Sequence, residues 1–176
     1  LSEITRIAAL VPTHRKGAFF GYENAVRVHQ YITHVRWSGG EGTASYRSYS
    51  RNFTINAQSK PDIAGSSDPA FRGDATRYNP EELLVASLSS CHMLWYLHLC
   101  SVNEIVVLEY RDDAIGTMEE RDGEGAFVGV TLRPAIKVSA GNDLARAIAL
   151  HEEAHRLCFI ARSVNFPVGI EAAVVD

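Results

Sequence analysis

Three cysteines and seven histidines are the side chains of this 176-residue chain best suited to covalent or metal chemistry. Cys91 lies in "SLSSCH", where small hydroxyl side chains and a histidine leave room for a ligand and can solvate a thiolate. Cys100 follows on the same expected helix. At about 100° and 1.5 Å per residue the two fall on opposite faces, about 13 Å apart along the axis. They cannot form a disulfide while that helix is intact, so any pair must use Cys158. The alternative for each cysteine is a small buried hydrophobe, and that is the reading adopted for Cys100.

A second group is "HEEAH", residues 151–155. It matches the H-E-x-x-H pattern of zinc peptidases, in which two histidines one turn apart hold the metal and the glutamate acts as base. A hydrolase reading would use His151, Glu152 and His155, and the third metal ligand it needs could come only from Glu171 in a short terminal strand. A metal site of His151, His155 and Cys158 also has suitable donors. The plainer expectation is two partly buried histidines, and no bound metal is expected.

These residues need elements to position them. Asn79 as N-cap, Pro80 at the first helical position and Glu82 at the capping-box position announce a helix. From Leu83 to Val102 it carries no formally charged side chain. Its length could span a bilayer. Its serines and histidines, and the lack of a second such segment, favour a helix buried in a domain core or dimer interface. A second helix is expected from Asn142 or Asp143 to about Phe159. Before the first helix, residues 26–37 and 43–57 read as a strand hairpin, followed by a long loop over 57–78. Between the helices, residues 105–120 and 125–139 read as strands joined through an Asp-Gly turn, and "VGIEAAVV" as a closing strand. The order β-β-α-β-β-α-β implies an α+β domain whose sheets cover a central helix.

Composition narrows the function. Seventeen basic and 21 acidic residues give a formal charge of −4, and no basic stretch tracks a phosphate backbone, which argues against nucleic acid. The first residues show no signal-peptide pattern, and an odd number of cysteines fits a reducing compartment. The expectation is therefore a cytoplasmic protein without a membrane partner. Residues 1–24 read as an N-terminal extension and residues 25–176 as one domain.

"NPEELLVASLSSCHM", followed by "AHRLCFIARSVNFPV", resembles the OsmC/Ohr family of thiol-dependent peroxidases, over roughly residues 27–176. The resemblance implies an intertwined homodimer with long central helices enclosed by two antiparallel sheets. It also implies that Cys91 is the peroxidatic cysteine and Cys158 the resolving cysteine, which condense into a disulfide, and that Glu81 positions a catalytic arginine. Arg72 in "PAFRGD" is the favoured arginine, with Arg77 and Arg51 as the other candidates. Phe159 follows Cys158 where usual members have proline. The implied substrate is an organic hydroperoxide, and the implied reductant a dithiol of lipoyl type or a lipoylated protein, with no bound cofactor. Leu88, Met93, Leu94 and Trp95 are candidates to line the substrate pocket. The alternative on the same fold is a noncatalytic thiol-sensing or ligand-binding dimer.

Overall fold

A computed structural model describes residues 26–175. The chain divides into Leu1–Ile32 and Thr33–Asp176. Of the first unit only residues 26–32 are described, and they carry no regular secondary structure. The expected extension over 1–24 and its boundary lie outside the described residues.

Thr33 onward forms nine short strands and two α-helices: β1 (His34–Arg36), β2 (Phe53–Asn56), β3 (Ile63–Gly65), α1 (Pro80–Val102), β4 (Val107–Asp112), β5 (Ile115–Arg121), β6 (Glu124–Leu132), β7 (Pro134–Val138), α2 (Leu144–Leu157), β8 (Val168–Ile170) and β9 (Ala173–Val174). They make three sheets of order β1-β2-β3, β4-β7-β9 and β5-β6-β8. The α+β class expected from the sequence is what the chain adopts.

The start of α1 follows its local chemistry. The Asn79 side chain accepts from the Glu82 N–H at 2.7 Å, and Glu82 Oε2 accepts from the Asn79 N–H at 3.1 Å. This reciprocal capping box satisfies donors that the first turn would otherwise leave open. α2 is capped at its start by Asp143 alone, which accepts from the Arg146 N–H at 2.9 Å without a reciprocal bond.

The strands differ from the sequence expectation in four places. The first hairpin is confined to β1 and β2, because side chains between them turn the backbone instead of extending it. Arg51 donates to the carbonyls of Tyr49 at 2.6 Å and Tyr46 at 2.7 Å, and Ser48 Oγ donates to Ser45 O. The expected loop over 57–78 contains β3 and a 3-10 turn at Pro69–Phe71. Between the helices, the Asp-Gly turn forms the β5–β6 hairpin as expected, with Asp122 and Gly123 both at positive φ. Each arm then breaks, so that β4 pairs with β7 in a different sheet. The break has a cause: Asp112 accepts from the Arg133 N–H at 2.6 Å and from Ser89 Oγ at 2.6 Å. Its carboxylate replaces a ladder partner just before Pro134, which has no N–H to give. The closing strand is likewise two, β8 and β9, added parallel to β6 and β7.

α1 lies between two apolar clusters. Tyr96 and Cys100 pack with Ile136, Ala147, Leu150 and Ala154; Leu88 packs with Val130 and Leu132. Only Leu88, His92, Tyr96 and Cys100 are fully buried on α1, one residue per turn. The remaining apolar faces are left half-covered or open, with Leu94 63% exposed. Among the described residues α1 is the one helix long and apolar enough to cross a membrane, and 22% of its most apolar window is buried.

Candidate functional site

α1 and α2 pack against each other in opposite directions, and the seam between them carries the site. At one end Arg146, near the start of α2, donates to Asn103 Oδ1 beyond the end of α1, at 3.0 and 3.3 Å. At the other end the Cys158 thiol lies near enough to Cys91 for the two side chains to influence each other's ionisation. Cys158 caps the C-terminus of α2, its N–H bonded to His155 O, and its Sγ accepts from the Ala161 N–H at 3.4 Å. Burial first, and then the contact with Cys91, push the Cys158 thiol up to about 11, while the N–H groups of Ala161 and Ile160 pull the other way. All three cysteines are free; Cys91 is half-buried, whereas Cys100 and Cys158 are buried. Cys100 sits beside Tyr96 on the core side, where burial raises its pKa. This is the buried-hydrophobe placement expected for it.

Past Cys158 the chain is tied back to α1. The Phe159 ring meets Trp95 edge-on at 5.5 Å between centroids, and Trp95 meets His98 in the same manner at 5.9 Å. Phe159 is nevertheless 62% exposed, so an apolar ring stands at the surface immediately beside the buried thiol.

Glu81 is in the first turn of α1, ten residues and about 15 Å along the axis from Cys91. It faces a groove of about 750 Å³ together with Val85, Ser89, Met93, Tyr110 and Phe127. Its Oε2 is buried and has no hydrogen-bond partner, and neither has the Tyr110 hydroxyl. None of the three candidate arginines bonds to Glu81. Arg72, at φ 68° and exposed, directs Nη2 toward Arg47 O at 3.5 Å. Arg77 pairs with Asp74 at 3.5 Å. Arg51 stacks on the Tyr49 ring, 3.8 Å from its centroid. Within one chain, then, the structure brings together Cys91 and Cys158 and leaves Glu81 and Arg72 apart from them. Of the apolar candidates for a pocket, Met93 lines the groove, Leu88 is core, Trp95 packs on Phe159, and Leu94 is exposed.

The HEEAH histidines are not arranged as metal ligands. Among the described residues no group of three or more His, Cys, Asp or Glu side chains could hold a metal ion. His151 is fully buried, with 2% exposure, and His155 is half-buried. His151 Nδ1 is bonded instead to Nε2 of His92, itself 0% exposed, at 2.9 Å. The His151 ring also stacks on Tyr96 with centroids 3.8 Å apart. Burial pulls both imidazoles down, His92 to about 4 and His151 to about 3; Asp112 opposes the shift of His92, and His155 adds to it. Both are neutral at pH 7. No sequence signal points to this pairing, since His92 and His151 lie far apart in the chain and neither spacing nor composition names the partner of a buried histidine.

The OsmC-like protein family model matches residues 73–172. An OsmC-like protein of unknown function from Vibrio cholerae is 30% identical and superposes with a TM-score of 0.76, over 83% of this chain and all (100%) of its own. An organic hydroperoxide resistance protein OsmC from Legionella pneumophila is 19% identical with a TM-score of 0.61, over 85% and 100% of the two chains. The organic hydroperoxide resistance protein OhrB of Bacillus subtilis is 18% identical with a TM-score of 0.56, over 84% and 98%. No curated protein sequence matches the chain. A cysteine pair across two packed helices, on this arrangement of strands, thus goes with a matching family model and a relative of the same fold: the chain belongs to the OsmC-like family.

Proposed function

We propose that the protein is a cysteine-based peroxidase that reduces organic hydroperoxides, and the observation that carries this reading is the contact of Cys91 with Cys158 across the α1–α2 seam. The Cys91 thiolate attacks one oxygen of R-O-O-H, the O–O bond breaks, and the departing alkoxide takes a proton to become R-OH. Cys91 is left as a sulfenic acid. The Cys158 thiol condenses with it, forming the disulfide and releasing water. A dithiol of lipoyl type then reduces the disulfide and leaves as its own cyclic disulfide. The difference in exposure supports attack of the external thiol at half-buried Cys91 rather than at buried Cys158.

The working unit of this reading is a homodimer. Two observations support it. The outer faces of α1 carry apolar side chains that the described residues leave uncovered, and Glu81 has a buried oxygen in the groove with no partner among the described residues. Glu81 would then hold an arginine, Arg72 by family resemblance, at the Cys91 of the partner subunit, where the cation polarises the peroxide. The groove residues Val85, Met93 and Phe127 suit an alkyl or aryl group on that peroxide.

The test is stopped-flow consumption of cumene hydroperoxide and of hydrogen peroxide with dihydrolipoamide as reductant. Turnover that prefers the organic peroxide and vanishes in Cys91→Ser is expected. A Cys91 that oxidises once without turnover would instead identify a thiol-sensing dimer.

A further inference from the structure

The buried histidine pair is a poor choice for stability alone. A His–His bond needs one proton between the facing nitrogens. If His92 Nε2–H donates, His92 Nδ1 is left as a bare lone pair and His151 Nε2–H as a bare donor. If His151 Nδ1–H donates, the two leftovers exchange roles. In either case both outer nitrogens stay buried and unpartnered, as the structure shows them, and such groups are costly to desolvate. Two aliphatic side chains of similar volume would avoid that cost.

Its location says what it can do. His92 follows Cys91 directly on α1, and His151 lies two turns before Cys158 on α2. Along the antiparallel seam the imidazole bond therefore falls between the thiol contact and the Arg146–Asn103 clamp. The other close neighbours at this level are Ala147, Leu150 and Ala154 against Tyr96 and Cys100. Small apolar surfaces of that kind let helices slide and roll, whereas a 2.9 Å bond between two ring nitrogens weakens steeply once either helix shifts. Disulfide formation has a similarly narrow tolerance, with Cβ atoms about 3.5–4.5 Å apart.

We infer that the His92–His151 bond is a positioning device for the resolving step: it fixes the axial register of α2 against α1, so that Cys158 stays on Cys91 while Cys91 is a sulfenic acid. The inference rests on the peroxidase reading above and concerns one step of it, Cys91–S–OH + HS–Cys158 → Cys91–S–S–Cys158 + H2O. Neither histidine touches the peroxide. Both act through the helices that carry the sulfurs. The bond needs one N–H and one bare nitrogen at the facing atoms, a condition that a proton added at an outer nitrogen leaves in place. The groups that face it are Asp112 and Tyr110 from β4, Tyr96 from α1 and His155 from α2.

The experiment treats the reduced full chain with one equivalent of cumene hydroperoxide, quenches at intervals, and follows sulfenic acid and disulfide by intact mass and peptide mapping. His92→Leu and His151→Leu are expected to form the sulfenic acid at the wild-type rate but to close the disulfide at least about tenfold more slowly, the scale expected for misplaced reacting groups. His92→Gln and His151→Asn place an amide atom where the bonding ring nitrogen was, and are expected to recover most of the closing rate. If a Leu variant does not fold, His92→Met makes the same comparison. Leucine variants that close at the wild-type rate, or Gln and Asn variants that recover none of the lost rate, overturn the positioning role. A wild-type chain that forms no Cys91–Cys158 disulfide overturns the peroxidase reading instead.

Discussion

Replacing both buried imidazoles with leucine should remove a specific part of the acid sensitivity of the fold. In the native chain His92 and His151 stay neutral until well below the usual histidine value of 6.5, to about 4 and about 3. In the unfolded chain both take up protons near 6.5. Between those values the unfolded state binds more protons than the native state, so stability is full above about pH 6.5 and is lost as pH falls. Between pH 7 and pH 5 each imidazole contributes a loss of about 2 kcal/mol, and the pair about 4 kcal/mol, a large fraction of the ~5–15 kcal/mol that holds a domain together. The assay is urea unfolding at fixed protein concentration with a non-thiol reductant, at pH 7, 6 and 5, for the wild type and the His92→Leu/His151→Leu double variant. Carboxylates that titrate in this range do so in both proteins and cancel in the difference. At pH 7 the double variant should be as stable as the wild type or more so, because two orphaned nitrogens are gone. At pH 5 it should be ahead by a further ~4 kcal/mol. Parallel pH profiles for the two proteins would refute the claim that these imidazoles are held neutral by burial.

Five further outcomes are expected. Alkylation of the native reduced protein should label Cys91 first and leave Cys100 and Cys158 protected until unfolding, read by peptide mass. Cys100→Ser should leave oxidation to a Cys91–Cys158 disulfide unchanged. Mixing Glu81→Ala chains with Cys91→Ser chains should recover a fraction of peroxidase turnover in verified heterodimers, and no recovery would sink the idea that one chain's Glu81 serves the other's Cys91. Sedimentation at micromolar concentration should give a dimer and no folded monomer. Asn79→Ala should lower stability by about 1 kcal/mol through loss of the α1 cap, measured by urea unfolding.

Local chemistry was legible where it decided the outcome locally. Asn79, Pro80 and Glu82 announced α1 at the residue where it starts, Asp143 did so for α2, and Asp122-Gly123 marked the one tight hairpin. The strand breaks were not legible, because they depend on Asp112 meeting Arg133 and Ser89, residues far apart in sequence. The alternation in residues 26–37 suggested a long strand, yet only His34–Arg36 found a partner. Half of the site was readable in the same sense. The residues around Cys91 marked it as a candidate nucleophile, and family resemblance supplied Cys158, which the fold then placed against it. The other half was misleading or silent. HEEAH has the spacing of a metal motif because one helical turn separates its histidines, but the fold turns His151 inward to His92 and away from any third ligand.

A bond between Cys91 and Cys158 would close a loop of about 70 residues that holds β4 through β7 and nearly all of α2, and closing a loop of that length restricts the unfolded chain by about 4 kcal/mol. On the proposed function the redox state of the seam would thereby be written into the heat resistance of the whole domain: the oxidised chain would be the sturdier one, and the reduced chain that meets peroxide would be closer to unfolding. In a cell that runs short of reductant the protein would accumulate in its more durable state, held as a reserve until dithiol returns.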